Sequence, residues 1–364
     1  MIFYFRRIFY IFVIFAGFFL FSACSGSKQL SLKEQYESYK HHYITRDGRI
    51  IDPSRNNVTT SEGQAYMLLR SVLMNDKKTF DLVLKWSNNN LRRRDALYSW
   101  LWGENNYGKY TVLDYNNASD AEMDISFALI LAYEKWKSPY YLDLARQILY
   151  RLWDTQIINV NGKKLLAPGI VQAQNHDMEF NPSYFSPYYM KKFQIYDSHH
   201  NWRSVGDDMY YYLTEVMNAT ATGLPPNFFS IKDGKVFISS DKKGDFSYDA
   251  IRVFNRILLD YKMTKDKRAL QVLKKSKFFI DKWEKGKPLY INYQANGELR
   301  DKDKFVGAAA MIYPAIKLYD EHTAEEIYEQ EIKSYLENPY YWASNNDYYG
   351  KNLLWFGEYV DEIK

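Results

Sequence analysis

The sequence predicts an all-α fold in which antiparallel helices form an α/α barrel. Apolar residues recur at helical spacing in many segments, whereas segments with a strand pattern are few and short. From about residue 43 onward no long linker rich in proline, glycine or serine divides the chain, so its 364 residues favour one large domain. A helical solenoid is the other arrangement considered. The lack of a visible repeat of about 34 or 40 residues disfavours it.

The N-terminal residues predict an export signal. Two arginines precede the apolar run 8–21, and the small residues Ser22 and Ala23 follow it before Cys24. The run is shorter than the roughly 20 residues that a membrane-spanning helix needs. Residues 1–24 are therefore expected to be a signal peptide with a lipobox-like end, residues 25–40 a polar tether, and residues 41–364 the globular domain.

Cys24 is the only cysteine, so an intrachain disulfide is excluded. Its position after Ser-Ala resembles a bacterial lipobox, in which the cysteine is lipidated and becomes the mature N-terminus. Phe21 stands where that motif usually has leucine. The alternative is ordinary signal-peptidase cleavage nearby, with Cys24 removed.

Three segments carry the clearest helical periodicity, with apolar residues at i, i+3, i+4 and onward. They are Ala65-Leu68-Leu69-Val72-Leu73, then Ile125-Ala128-Leu129-Ala132-Tyr133-Trp136, and then Ile251-Phe254-Leu258-Tyr261. Further helices are predicted over 139–154, 204–219, 266–284, 305–319 and 324–336. Strands are expected only at 235–239 and 289–293.

Each of these three helices begins with an acidic cluster. The clusters are Ser61-Glu62-Gly63-Gln64, Ala118-Ser119-Asp120-Ala121-Glu122 and Ser247-Tyr248-Asp249-Ala250-Ile251-Arg252. Serine and acidic residues cap helix N-termini, and two of the clusters have the spacing of a capping box, so each cluster alone is explained by helix capping.

Two observations favour a chemical role. Gly63, a poor helix former, follows Glu62 directly, and Tyr248 and Arg252 flank Asp249. A cation and a helix N-terminus favour the charged carboxylate that a general base requires, whereas a general acid at Glu62 requires burial to keep its proton.

Other kinds of functional site are not supported by the sequence. The six histidines show no HExxH or i, i+4 spacing, and no nucleophile elbow or phosphate-binding glycine loop is present. A formal net charge of +4, with lysines spread along the chain, does not predict nucleic-acid binding. The 34 Tyr, 22 Phe and 9 Trp residues fit either a helical core or surfaces that stack on sugar rings.

Nearly the whole mature sequence resembles glycoside hydrolase family 8. The resemblance is carried, in the family's order, by Asp47-Gly48-Arg49-Ile50-Ile51-Asp52-Pro53, Thr60-Ser61-Glu62-Gly63-Gln64-Ala65-Tyr66, Asn75-Asp76 with Phe80, Trp100-x-Trp102, Asn117-Ala118-Ser119-Asp120-Ala121-Glu122, Asn181-Pro182-Ser183-Tyr184-Phe185-Ser186-Pro187, Tyr248-Asp249-Ala250-Ile251-Arg252 and Tyr348-Tyr349 with Leu353-Leu354-x-Phe356-Gly357. Single motifs are weakly specific, but their order and spacing together are specific.

The resemblance implies an (α/α)6 barrel with an open substrate cleft at one end. It implies Glu62 as general acid, Asp249 as general base and Asp120 as a carboxylate that grips the distorted sugar. Residues matched to the surroundings of the base, or proposed as sugar platforms, are Tyr184, Tyr248, Arg252, Trp102 and Tyr348. Glu122 departs from the endoglucanase form of the signature, which usually has aspartate there, and xylanase-type members can carry glutamate.

The expected activity is therefore inverting, endo-acting hydrolysis of a β-1,4-linked glucan or a related surface exopolysaccharide. Xylan, chitosan or an amino-sugar exopolysaccharide is the alternative substrate, and a non-catalytic sugar-binding lipoprotein is the alternative class. No metal or other cofactor is expected. The protein is expected to be an exported monomer, with a polysaccharide as its partner and an N-terminal lipid as its membrane contact.

Overall fold

The computed structural model describes residues 28–170, 179–232, 234–286 and 288–364. Cys24 and the predicted signal peptide lie outside these residues. Fifteen α-helices occur in the described part of the chain: α1 Leu32–Tyr43, α2 Ser61–Leu73, α3 Lys77–Asn90, α4 Ser119–Trp136, α5 Pro139–Gln156, α6 Pro187–Tyr196, α7 Trp202–Asn218, α8 Arg252–Thr264, α9 Lys267–Leu273, α10 Lys277–Glu284, α11 Val306–Ile316, α12 Glu321–Ile327, α13 Lys333–Leu336, α14 Pro339–Trp342 and α15 Tyr348–Glu362.

Six of these helices form an inner ring. Helix α2 packs on α4, α4 on α6, α6 on α8, α8 on α11, and α11 on α15. The ring closes between its last and first members, because Arg70 of α2 donates hydrogen bonds to the backbone carbonyls of Lys351 and Asn352 in α15. A cavity of about 150 Å³ lies along the axis, lined by side chains from all six inner helices.

An outer helix packs against each member of the ring. The pairs are α2 with α3, α4 with α5, α6 with α7, α8 with α9, α11 with α12, and α15 with α1. Six helix pairs around one axis make an (α/α)6 barrel, and the inner helices carry most of the core because neighbours cover them on several sides. The predicted all-α barrel is confirmed.

Short antiparallel strands lie in the connections between helices. Their sheets have the orders β1-β2-β3, β4-β5 and β6-β7-β8. The strands are β1 Thr59–Thr60, β2 Leu101–Glu104, β3 Tyr110–Asp114, β4 Ile157–Val160, β5 Lys163–Leu166, β6 Glu179–Phe180, β7 Phe229–Lys232 and β8 Lys235–Phe237. The strand predicted over 235–239 is therefore present and shorter. The strand predicted over 289–293 is wrong, since only Tyr293 makes isolated bridges there.

The boundary predicted for a tether at residues 25–40 is also wrong. Helix α1 begins at Leu32 behind a capping box formed by Ser31 and Glu34, and it buries Tyr36, Tyr39 and Tyr43. Glutamate, lysine and glutamine separate the tyrosines, so this segment of the sequence shows no clear apolar periodicity. Residues 32–40 belong to the outer layer of the barrel. No helix among the described residues is long and apolar enough to cross a bilayer.

Candidate active site

The N-terminal ends of the inner helices meet at one end of the barrel. Glu62 and Asp120 lie in the first turns of α2 and α4, and Arg252 is the first residue of α8. Tyr184 precedes α6, and Tyr349 lies in the first turn of α15. Each helix presents unpaired N–H groups and the positive end of its dipole here, so this end favours anionic groups.

Glu62 is held by donors on both carboxyl oxygens. The indole Nε1 of Trp100 donates to Oε1 at 2.9 Å, and the hydroxyl of Ser61 donates to Oε2 at 3.1 Å. Burial, together with the nearby carboxylate of Asp120, raises the pKa of Glu62 to about 7. The desolvation outweighs the two hydrogen bonds, which favour the charged form. A carboxyl group with this pKa can carry a proton near neutral pH and donate it.

Arg252 links the other two carboxylates. Its Nη1 donates to Oδ2 of Asp120 at 2.9 Å, and its Nη2 donates to Oδ1 of Asp249 at 2.5 Å. Burial raises the pKa of Asp120, and the charge of Arg252 opposes that rise. A planar guanidinium can bridge two acceptors in a fixed geometry, so Arg252 sets the relative positions of both groups.

Asp249 is the most accessible of the three carboxylates, with 39% of its side chain exposed. It lies just before α8, in a turn whose backbone N–H groups at Asp249 and Ala250 both donate to Oδ1 of Asn227. This anchored turn leaves the carboxylate open to water while Arg252 holds one oxygen. The arrangement suits a base that removes a proton from a water molecule.

Aromatic side chains surround this charged centre. The ring of Tyr184 lies 5.6 Å from the guanidinium of Arg252, and Tyr248 is exposed. The hydroxyl of Tyr349 donates to the carbonyl of Tyr248 at 2.9 Å, and Phe305 lies within 5.6 Å of both rings. The structure therefore places Tyr184 beside Arg252, which donates to Asp249, and the roles expected of these residues stay predictions.

The two residues predicted to stack on sugar rings, Tyr348 and Trp102, do not lie with a ring face open to a ligand. Tyr348 is buried among Tyr39 and Tyr43, so its ring offers no face to a ligand. Trp102 stacks on Tyr110 at 5.3 Å and has the guanidinium of Arg49 at 4.5 Å, so neighbours already occupy its ring. The prediction that Tyr348 stacks on a sugar ring is wrong. The same prediction for Trp102 lacks support, because neither face of its ring is free for stacking.

Trp100 is the aromatic residue that the sequence argument missed. It is partly exposed, and its indole touches Glu62 directly. Alternation along a strand would place Trp100 and Trp102 on one face. Trp100 precedes the strand, and the two rings have different neighbours, because Trp102 packs against Trp86 and Tyr110. The sequence also does not identify Asn227 and Tyr349 as site residues, because only the folded structure brings them close to the motifs.

The structure also explains two unusual residues of the acidic clusters. A Cβ on Gly63 would lie 2.4 Å from the hydroxyl of Tyr348, so this glycine accommodates a buried tyrosine rather than a ligand. Glu122 is fully buried and accepts the backbone N–H of Tyr98 at 2.6 Å. This hydrogen bond holds the loop before β2.

Among the described residues no group of three or more histidine, cysteine, aspartate or glutamate side chains is arranged to hold a metal ion.

Comparison with known proteins shows that this chain is similar to bacterial endoglucanases. The endoglucanase of Escherichia coli (strain K12) is 33% identical over 226 residues, which are 60% of this chain and 60% of that protein. Endoglucanase A of Acetivibrio thermocellus is 28% identical over 338 residues, 88% of this chain and 67% of that protein. The alignment thus spans about three fifths of the length of the first of these relatives.

Solved structures have the same architecture. The endo-1,4-D-glucanase of Vibrio fischeri ES114 superposes with a TM-score of 0.79 at 29% identity, covering 89% of this chain and 93% of that one. The sequence model of the glycosyl hydrolases family 8 matches residues 12–361. Because that match covers nearly the whole chain, the protein belongs to the glycosyl hydrolases of family 8.

Proposed function

We propose that the protein is an inverting, endo-acting hydrolase of β-1,4-linked glucan, with Glu62 as general acid and Asp249 as general base. The observation that carries the proposal is the contrast between the two carboxyl groups. Glu62 is desolvated and has a pKa of about 7, whereas Asp249 is open to water and paired with Arg252. Carboxyl groups whose environments differ in this way suit opposite proton-transfer roles.

In the proposed reaction the proton of Glu62 passes to the glycosidic oxygen as its bond to the anomeric carbon breaks. A water molecule attacks that carbon from the other face, and Asp249 accepts the proton that this water loses. Glu62 ends deprotonated and Asp249 protonated, and solvent restores both. Asp120, held by Arg252, would bind the distorted sugar and stabilise the positive charge that develops at its anomeric carbon.

β-1,4-Glucan is the preferred substrate for two reasons. The relatives with substantial identity over the aligned region are endoglucanases. Glutamate at position 122, the feature that favoured xylan, is fully buried and accepts the backbone N–H of Tyr98, so its side chain offers no exposed group to a substrate. The sugar-binding alternative is disfavoured by Glu62 and Asp249, because a binding protein requires neither a proton donor nor a base.

The experiment is a reducing-sugar assay of the full-length protein on carboxymethylcellulose, mixed-linkage β-glucan, xylan and chitosan. Activity is expected on the glucans, and Glu62→Gln and Asp249→Asn are each expected to reduce kcat by about 10²–10⁴-fold or more. Glu358→Gln is the matched control, because Glu358 is another buried carboxyl with a pKa near 7 but lies at the other end of α15. Activity confined to xylan or chitosan would reject the substrate, and full activity in either active-site variant would reject its role.

Stereochemistry tests the mechanism separately. Single displacement on a β-linked substrate produces the α anomer first, before mutarotation equilibrates the two forms. Proton NMR during the first minutes of hydrolysis should show the α signal growing ahead of the β signal. Initial release of the β anomer would mean retention and would remove Asp249 from the role of base.

We further propose that the protein is exported and anchored through a lipid on Cys24. The support is the signal-like sequence before Cys24 and the position of this single cysteine after Ser22-Ala23. Wild-type protein should partition into the detergent phase, and Cys24→Ala should move it to the aqueous phase. Aqueous partitioning of both would leave simple secretion as the explanation.

A further inference from the structure

We infer that Arg256 is a positioning residue that keeps the guanidinium of Arg252 at the cleft end of the barrel. Anchored by Asp124, it acts from below on the group that holds both Asp120 and Asp249. The inference rests on the proposed role of Asp249 as general base, and it adds the residues that keep a cation beside that base.

Two ion pairs cross the barrel interior, one above the other. The upper pair is Arg252 with Asp120, at 2.9 Å. In the lower pair, Nη1 of Arg256 donates to Oδ1 of Asp124 at 2.5 Å and Nη2 donates to Oδ2 at 2.8 Å. Both pairs join α4 to α8, and α6 lies between these helices in the ring. Residues four apart lie one turn apart on the same helix face, so the lower pair is one turn farther from the cleft.

The lower pair is buried and rigidly held. The side chains of Asp124 and Arg256 are 2% and 11% exposed, and the ring of Tyr189 lies 5.2 Å from the guanidinium. Two parallel charge-assisted hydrogen bonds fix Arg256 in place. A buried pair adds little stability over apolar residues of similar size, because desolvation offsets the attraction. The pair is therefore better suited to holding a charge at a defined point than to stabilising the core.

Packing alone does not hold Arg252 at the cleft. Asp124, Arg252 and Arg256 all line the axial cavity of about 150 Å³, so space remains beside both guanidinium groups. Charge then decides where Arg252 lies. The cation of Arg256 repels that of Arg252 toward the cleft, and it also compensates Asp124, which would otherwise attract Arg252 away from Asp249.

The charges of the lower pair also reach Asp120. Burial is the largest cause of the raised pKa of Asp120, and the charge of Arg252 opposes it. Asp124 adds to the rise, and Arg256 opposes it. The hydroxyl of Tyr66 accepts from Nη1 of Arg252 at 3.5 Å and interacts electrostatically with all four charged groups. The two pairs thus behave as one electrostatic unit.

The test compares two variants of the full-length protein that break the same pair. Arg256→Gln removes the cation and leaves the carboxylate of Asp124 free to attract Arg252. Asp124→Asn keeps Arg256 charged and creates no competing carboxylate. Both variants lose the same charge-assisted hydrogen bonds, so a purely stabilising pair predicts the same outcome for both. The measurements are the unfolding midpoint and, below that midpoint, kcat on a soluble glucan as a function of pH.

The acid limb of the pH–activity profile distinguishes the two variants. Asp249 accepts a proton only when charged, and Arg252 favours its charged form. The other titratable groups that interact with Asp249 from the packed elements are Tyr184 and Tyr349, whose pKa values are raised by burial, so both stay neutral. In Arg256→Gln the acid limb should move up by about one pH unit, a tenfold loss of activity on that side. In Asp124→Asn it should stay in place.

Arg256→Lys serves where Arg256→Gln does not fold. It keeps a cation without the planar pair of donors, so a smaller shift in the same direction is expected. An acid limb at its wild-type pH in the folded Arg256 variants, or equal shifts in Arg256→Gln and Asp124→Asn, would overturn the inference and leave the hydrolase proposal standing. Full activity of Asp249→Asn would instead reject the general base, and the inference with it.

Discussion

The indole N–H of Trp100 donates to Oε1 of Glu62 at 2.9 Å, so an aromatic side chain is bonded directly to the proposed proton donor. This hydrogen bond favours the carboxylate and so lowers the pKa of Glu62. Burial raises the pKa by a larger amount, so the net shift is upward. Trp100 therefore limits how strongly the acid holds its proton.

Replacing Trp100 with phenylalanine should move the alkaline limb of the pH–activity profile to higher pH. Glu62 acts only when protonated, so activity falls as pH rises through its pKa of about 7, and losing the donor raises that pKa. The measurement is kcat against pH. Trp102→Phe is the control, and its alkaline limb should stay in place. A limb that is unmoved or shifted to lower pH in Trp100→Phe would contradict the assignment.

Glu62→Gln should be more stable than the wild type at pH 8 and equally stable at pH 4. The pKa of Glu62 rises from 4.5 in the unfolded chain to about 7 in the folded protein, so the folded state binds the extra proton between these values. Stability is therefore lost as pH rises through this window, by up to about 3 kcal/mol, and glutamine avoids the loss. Denaturant unfolding at both pH values measures it.

Glu358→Gln is the matched control for that experiment, because burial raises the pKa of Glu358 to about 7 as well. It should show the same gain at pH 8 while keeping its activity. A Glu62→Gln variant that is less stable than the wild type at pH 8 would mean that the folded protein stabilises the Glu62 carboxylate rather than destabilising it.

Gly63→Ala should destabilise the protein by about 1–3 kcal/mol through overpacking, because the new methyl group would meet the hydroxyl of Tyr348. Tyr348→Phe removes that hydroxyl, so the double variant should recover much of the loss. A double-mutant cycle by thermal or denaturant unfolding measures the coupling. Additive effects would show that the contact between these two residues is not the reason for the glycine.

Glu122→Asp should cost stability without changing substrate preference. The shorter side chain withdraws its oxygen from the backbone N–H of Tyr98, and a buried donor left unpaired costs about 1–3 kcal/mol. The measurement compares the unfolding midpoint with relative rates on glucan and xylan. A change in the glucan-to-xylan ratio at unchanged stability would return position 122 to the substrate site.

The sequence predicted both the helices and the charged centre, because the acidic residues of the centre lie at the starts of the inner helices. The barrel gathers the starts of the inner helices at one cleft, so Glu62, Asp120 and Asp249 are visible as motifs near helix N-termini. The expected capping boxes at Ser61 and Ser119 do not form, since Thr60 caps α2 and α4 has no side-chain cap. The relation of Arg252 to two carboxylates is set by tertiary packing and cannot be read from spacing. The wrong predictions have specific causes. Tertiary packing surrounds Trp102 with Trp86, Tyr110 and Arg49, and charged residues between Leu32 and Tyr43 conceal the periodicity of α1.

The contact between α15 and the first helices has a consequence for how the chain folds. The indole of Trp355 donates to the carbonyl of Leu32, 323 positions earlier, and Arg70 reaches the carbonyls of Lys351 and Asn352. Contacts this distant along the chain form slowly, because the intervening segment must be ordered first. The ring cannot close until the C-terminal helix is available, so α1 and α2 lack their partner throughout most of synthesis. The core of the barrel is therefore completed only at the end of the chain's synthesis.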